Sequence, residues 1–150
     1  MSVSPRKINT FLFFKLPAAF WCGVRTQTID DGCCTTTVTH RWINQNPFKS
    51  MYFAVQAMAA ELSTGALVMR HINQSEHKIS MLVAAHKSTY HKKATGRIVF
   101  SCRDGESIKQ AIEKAVETGE GQTCWMQSTG VNGNGEIVSE MHFEWTVKAR

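Results

Sequence analysis

Residues 50–69, SMYFAVQAMAAELSTGALVM, carry one charged side chain, Glu61, between the flanking cations Lys49 and Arg70. The run is rich in Ala, Met and Leu and follows Asn46-Pro47-Phe48-Lys49-Ser50, which predicts a long helix entered through a turn and capped by Ser50. Met51, Val55, Met58, Leu62 and Met69 recur at helical spacings and mark one side of it. Tyr52, Phe53, Ala54, Ala57, Ala60 and Ala66 leave almost no polar face, so other structure must wrap this helix. A carboxyl inside such an element is costly unless it is paired, hydrated or used. Glu61 is therefore the first candidate functional residue.

What wraps the helix is read from its flanks. Upstream, Val24 to Asp30 and Cys33 to Ile43 are extended runs joined by an Asp30-Asp31-Gly32 turn, and the second is dense in β-branched residues. Downstream, Lys78 to Tyr90 and Gly96 to Arg103 are two more strands, joined around Lys92-Lys93-Ala94. Gly105 to Thr118 repeats Ile108, Ala111, Ile112, Ala115 and Val116 at helical intervals and predicts a short surface helix. Gln122 to Val131 and Glu136 to Val147 alternate again, and Asn132-Gly133-Asn134-Gly135 between them signals a tight hairpin. In the last strand Ile137, Met141, Phe143, Trp145 and Val147 are expected to point inward, with Glu140, His142, Glu144 and Lys148 outward. Six strands following this order make one antiparallel sheet wrapped around the long helix, an α+β architecture, with a second protomer covering what remains.

At 150 residues the chain fits one domain, 1–150, large enough for a core without metals or disulfides. Its net charge of +5 favours an anionic partner without choosing one. Five cysteines, Cys22, Cys33, Cys34, Cys102 and Cys124, show no paired spacing, so reduced thiols in a cytoplasm are expected. Arg6 and Lys7 followed by Ile8 to Trp21 superficially resemble an export signal. Lys15 and Pro17 interrupt that apolar run, and Phe20-Trp21-Cys22 offers no small-residue cleavage site. A short amphipathic helix packed on the body is the expectation, with contact to a membrane surface as the lesser alternative and no stable insertion. His86 and His91 share no nearby acidic or cysteine partner, so no metal is expected, nor any cofactor or nucleic acid. Gly130-x-x-Gly133-x-Gly135 joins strand to strand with no following helix, which is turn chemistry rather than a phosphate loop. No Gly-x-Ser-x-Gly nucleophile motif is present. Trp21, Trp42, Trp125 and Trp145 are dispersed and read as core or interface anchors.

A central helix after two strands, with a lone acid at its middle, resembles the hotdog fold. In the phenylacetate-pathway-type branch of hotdog thioesterases an Asn lies six residues before a His-Gly-Gly at the start of the central helix, and an Asp or Glu follows nine residues after that His. Asn46, Tyr52 and Glu61 stand at this spacing, although Tyr52-Phe53-Ala54 replaces His-Gly-Gly. The run Asn46 to Ala54, the later Ala60-Glu61-Leu62 and Thr64-Gly65, and Thr89-Tyr90 with Lys93-Ala94 are similar to a hotdog family of unknown function, some of whose members are described as tetrameric acyl-CoA thioesterases. The strand position where such enzymes often carry Ser or Thr falls at Val83.

The resemblance implies an acyl-CoA thioesterase whose pockets lie between protomers of a dimer or a dimer of dimers. Glu61 would be general base or nucleophile, with burial raising its pKa above the ordinary ~4.3. Asn46 would orient water or the thioester carbonyl, and the Phe53 amide at the helix N-terminus would hold the oxyanion beside Tyr52. Phe48, Met51, Phe53 and Met58 would wall an acyl or aryl group, with Thr89 close by in the pocket. His86, Lys87, His91, Lys92, Lys93 and Arg97 form the densest basic patch, and Lys92, Lys93 and Arg97 are the candidates for the phosphates of coenzyme A. Each has a plainer reading. Glu61 could fix the register of a subunit interface, Asn46 could be a turn-former before Pro47, and the lysines could keep a sheet edge soluble. Two other functions fit the same residues: a non-catalytic acyl-CoA or lipid binder, and a monomeric pocket protein.

Overall fold

The computed structural model describes residues 2–150. Its central helix, α3, runs Phe53–Ser75 and ends at Glu76, which takes the left-handed conformation at φ 58°. The start lies three residues later than Ser50, because Asn46 claims that serine. Asn46 Oδ1 accepts from both the Ser50 amide and the Ser50 hydroxyl at 3.2 Å, keeping Ser50 in the entry turn. Tyr52 is the residue before the helix, with no side-chain cap. The amides of Met51 and Tyr52 are held instead by Ala94 O at 2.8 Å and Asn44 O at 2.9 Å.

The helix is wrapped, though not by the stripe that spacing alone marks. Met58 and Met69 are only half-buried, while Gln56, Ser63 and Thr64 are buried. Small hydroxyls suit this close packing because each finds a local acceptor. Ser63 bonds Ala60 O and the Ser128 hydroxyl, both at 2.7 Å, and Thr36 donates to Ala59 O at 2.6 Å. Ala59, Ala60 and Ala66 let the sheet approach the backbone, and Leu62, Leu67 and Val68 fill the gaps.

One antiparallel six-stranded sheet surrounds α3. Its strands are β1 (Arg25–Ile29), β2 (Cys34–Thr39), β3 (Ile79–Tyr90), β4 (Arg97–Cys102), β5 (Gln122–Val131) and β6 (Ile137–Ala149), in the order β1-β2-β4-β5-β6-β3. β3 and β4, adjacent in sequence, do not pair. β3 lies at the far edge against β6, and the segment after it crosses the start of α3, where Ala94 is buried. This crossing builds the wall of the cleft described below. The Asn132–Gly135 turn joins β5 to β6 as expected, but the register shifts beside Gly130. Val138 is buried in consequence, and Ile137, expected inside, is exposed. Gly130 is required there, because a Cβ would stand 2.5 Å from the Phe100 ring.

Pro17 splits the N-terminal segment into α1 (Pro5–Lys15) and α2 (Pro17–Trp21). α1 docks through buried Ile8 and Leu12 and through Asn9, which exchanges two hydrogen bonds with the Thr26 backbone of β1 at 2.7 and 3.1 Å. Burying those two aliphatic side chains contributes about 3–5 kcal/mol. α4 (Gly105–Thr118) covers α3, β5 and β6 through Ile108, Ile112 and Ala115. Of the four tryptophans only Trp145 is buried. Among the described residues no helix is long and apolar enough to cross a membrane.

Candidate active site

Glu61 sits two turns into α3, on the side where the wrapping is incomplete. Among the described residues no donor meets its carboxylate, and burial pushes its pKa up to about 7. The carboxylate fits because residue 65 is glycine. A Cβ there would lie 3.3 Å from Glu61 Oε1 and 3.1 Å from the Trp145 ring, so acid and indole flank a space that only glycine leaves. Trp145 is anchored by Nε1 donating to the Thr64 hydroxyl at 2.8 Å, and that hydroxyl donates to Glu61 O at 2.8 Å. Trp145 stands on β6 between Cys124 of β5 and Val83 of β3, so a single strand, β3, separates it from the sheet's open edge. That edge strand is twelve residues long, with Leu82 66% exposed and Ala84 and Ala85 exposed beside it.

A cleft of about 580 Å³ opens at the N-terminus of α3. Its aromatic wall is built by Tyr52, Phe53 and Tyr90, with ring centroids 5.0 Å apart for the first pair and 6.2 Å for the second. Phe48, Asn46 and Lys93 also line it. Among the described residues the Phe53 amide meets no acceptor, so the helix start offers a free N–H to this cleft. Glu61 does not line it. Eight residues separate Phe53 from Glu61, about 12 Å along the helix axis.

The expected site residues therefore divide into two groups. Asn46, Phe48, Tyr52, Phe53, Lys92 and Lys93 gather in the cleft, whereas Met58 and Glu61 lie further along α3, and Thr89 and Arg97 are exposed on β3 and β4 outside the cleft lining. The Asn46 amide is engaged within the entry turn: Oδ1 accepts from the Phe48 amide at 2.9 Å, and Nδ2 donates to Ser50 Oγ at 3.0 Å and Met51 O at 3.2 Å. Lys92 pairs with Glu136, whose carboxyl it holds below the usual range, and Lys93 donates to Phe48 O at 3.2 Å.

Gln56 escaped the sequence reading. It lines the cleft, is 4% exposed, and its Oε1 has no hydrogen-bond partner. Its position four residues before Ala60 on an apolar helix was the available signal: a buried amide in such a helix requires a partner just as Glu61 does.

A family model described as "Domain of unknown function (DUF4442)" matches residues 5–147, nearly the whole chain. The chain belongs to the DUF4442 family. No curated protein sequence matches it. Solved structures share its fold from end to end. A Pseudomonas aeruginosa protein described as "Probable Thioesterase" superposes with a TM-score of 0.83 at 22% identity, covering 100% of this chain and 99% of the other. A mutant thioesterase from the same organism gives 0.76 at 13% identity over 100% and 97%. A Haemophilus influenzae thioesterase gives 0.72 at 9% identity over 99% and 93%. The DUF4442 chain thus has the hotdog fold: a six-stranded antiparallel sheet around a long central helix, with the additional N-terminal helices and α4.

Proposed function

We propose that this DUF4442 protein hydrolyses acyl-CoA-type thioesters in pockets shared between two protomers, with Glu61 as general base or nucleophile. The observation that carries the proposal is a half-buried carboxyl without a hydrogen-bond partner among the described residues, its pKa raised by burial to about 7, held against Trp145 one strand in from an open sheet edge. Structural neighbours named as thioesterases support the reaction class.

The separation of Glu61 from the helix start supports the shared pocket. One chain would contribute Glu61, and its partner the cleft with its free Phe53 amide. Pairing of the exposed β3 edges in a homodimer would bring the two halves together, and a dimer of dimers is compatible with that arrangement. The thioester carbonyl would rest on the Phe53 N–H, where the helix dipole adds to the stabilisation of an oxyanion. The ionised Glu61 would remove a proton from water attacking the carbonyl carbon, and the C–S bond would break to release the thiolate of coenzyme A and the free acid. Alternatively, Glu61 would attack that carbon itself, the thiolate would leave, and water would then cleave the resulting acyl–Glu61 anhydride to give the free acid and regenerate the carboxylate. Phe48, Tyr52, Phe53 and Tyr90 would pack an acyl or aryl group, with Met58 continuing that wall toward Glu61. Asn46 shapes the cleft through its turn and would orient the carbonyl by exchanging its Met51 contact. Lys93 is the better placed of the phosphate candidates, since Lys92 is already paired with Glu136; Arg97 and Thr89 would have to act from the approach to the cleft.

A second reading, a non-catalytic acyl-CoA binder, is favoured by Tyr52-Phe53-Ala54 standing where thioesterases of this type carry His-Gly-Gly. A panel of acyl-CoAs assayed for free thiol, with wild type and Glu61→Ala, separates the two. Turnover that Glu61→Ala abolishes supports the enzyme; tight binding without thiol release supports the binder.

A further inference from the structure

The outward side of the N-terminal helices is neither polar nor explained by the cleft. α1 buries Ile8 and Leu12, yet the side it turns to solvent carries aromatics: Phe14 is 70% exposed, and Phe11 and Phe13 are also exposed. Phe13 and Phe14 join a continuous chain of rings through edge contacts, Phe14 to Phe13 at 4.9 Å, Phe13 to Phe20 at 5.0 Å and Phe20 to Trp21 at 5.7 Å, with Trp21 62% exposed. Asn44 Nδ2 donates to Cys22 O at 2.9 Å, tying the following Trp42–Asn44 turn to the end of α2 and setting exposed Trp42 and Ile43 beside this surface.

Cations border the rings and no acid does so from the same segments. The Arg25 guanidinium lies 3.8 Å over the Phe20 ring, Arg6 shares a shallow depression with Phe13, Phe14 and Phe20, and Lys15 follows Phe14. Burial, and less strongly the charge of nearby Arg41, lower the pKa of Arg25. The only acids before Glu61 are Asp30 and Asp31. Asp30 is bonded to the amides of Gly32 and Cys33, and Asp31 to Arg70 and Gln74.

We propose that this face is a peripheral membrane-binding surface that rests on anionic phospholipid, its exposed aromatic rings entering the headgroup boundary and Arg6, Lys15 and Arg41 contacting lipid phosphates, while Arg25 is held by the Phe20 and Val24 carbonyls. Aromatic side chains next to basic ones are the composition of interfacial elements that lie on a bilayer without spanning it. A second copy of the chain is the poorer occupant, since it would set the same cations against one another with no acid between them. The surface does not depend on Glu61 chemistry.

The test is flotation of the 150-residue chain with vesicles of phosphatidylcholine alone or with about one-third phosphatidylglycerol, at low and high salt. Wild type and Glu61→Gln should both float with the anionic vesicles and detach at high salt. Phe14→Ser with Trp21→Ser should weaken binding about tenfold or more, and Arg6→Gln or Lys15→Gln about fivefold each, with circular dichroism unchanged. The two charge variants alone suffice should the aromatic pair disturb folding. Absence of wild-type flotation, equal flotation of the charge variants, release by free coenzyme A, or an altered oligomeric mass in the aromatic variant would each overturn the proposal.

Discussion

Replacing Glu61 by Gln should make this protein more stable above neutral pH while removing the group proposed to do chemistry. Burial moves the carboxyl from its ordinary 4.5 to about 7. Between those values the folded chain binds more protons at this site than the unfolded chain does, so stability falls as pH rises through that window. Two and a half pH units at 1.36 kcal/mol each give about 3.4 kcal/mol, and because the carboxyl is not fully enclosed we expect about 2–3 kcal/mol. The neutral amide of Gln carries no ionisation penalty. Urea unfolding at fixed protomer concentration should show near-equal stabilities at about pH 5, and at about pH 8 an advantage of 2–3 kcal/mol for Glu61→Gln, roughly 5–10 °C in Tm. The same wild-type-to-variant difference at both pH values would mean that Glu61 is not desolvated in the folded state, and the reasoning would fail at its first step.

Three further substitutions probe the surroundings. Phe53→Pro removes the free N–H yet suits the first helical position, since Tyr52 already holds the extended conformation (ψ 134°) that precedes proline; it should cost thioester turnover about 100-fold more than Phe53→Ala at similar stability. Mixed with Glu61→Gln, it should regain activity, because one of the two shared pockets in a mixed dimer carries neither defect. Gly65→Ala sets a methyl against Trp145 and the Glu61 carboxylate at 3.1 and 3.3 Å; gained helix propensity offsets part of the crowding, so stability should change by about 1 kcal/mol while turnover drops. Gln56→Met removes an acceptor that has no partner and should raise stability by about 1 kcal/mol by chemical denaturation, at the expense of KM.

Patterns that live within one element were legible in the sequence. The hairpin at Asn132–Gly135, the span of α4 and the hydrophobic wrapping of α3 all follow from turn chemistry and periodicity. What could not be read depends on contacts between distant segments. Ser50 looks like a helix cap until Asn46 takes its hydrogen bonds, and Ile137 looks buried until a register shift turns Val138 inward. The placement of β3 beside β6 is a crossover that alternation does not encode. At the site, Glu61 stood out because an acid in an apolar helix needs a reason. Its separation from the cleft was hidden, because spacing along one helix does not say which residues share a cavity.

The pH dependence of thioester hydrolysis tests the central role of Glu61 most directly. With an acyl-CoA that the panel identifies as turned over, kcat/KM of the wild type should rise with pH and level off through a pKa near 7, as expected for a base that acts when ionised. Glu61→Gln should be lower by about 100-fold or more and lack that inflection. A wild-type profile that is flat across neutrality, or a Gln variant that keeps both rate and inflection, would contradict it.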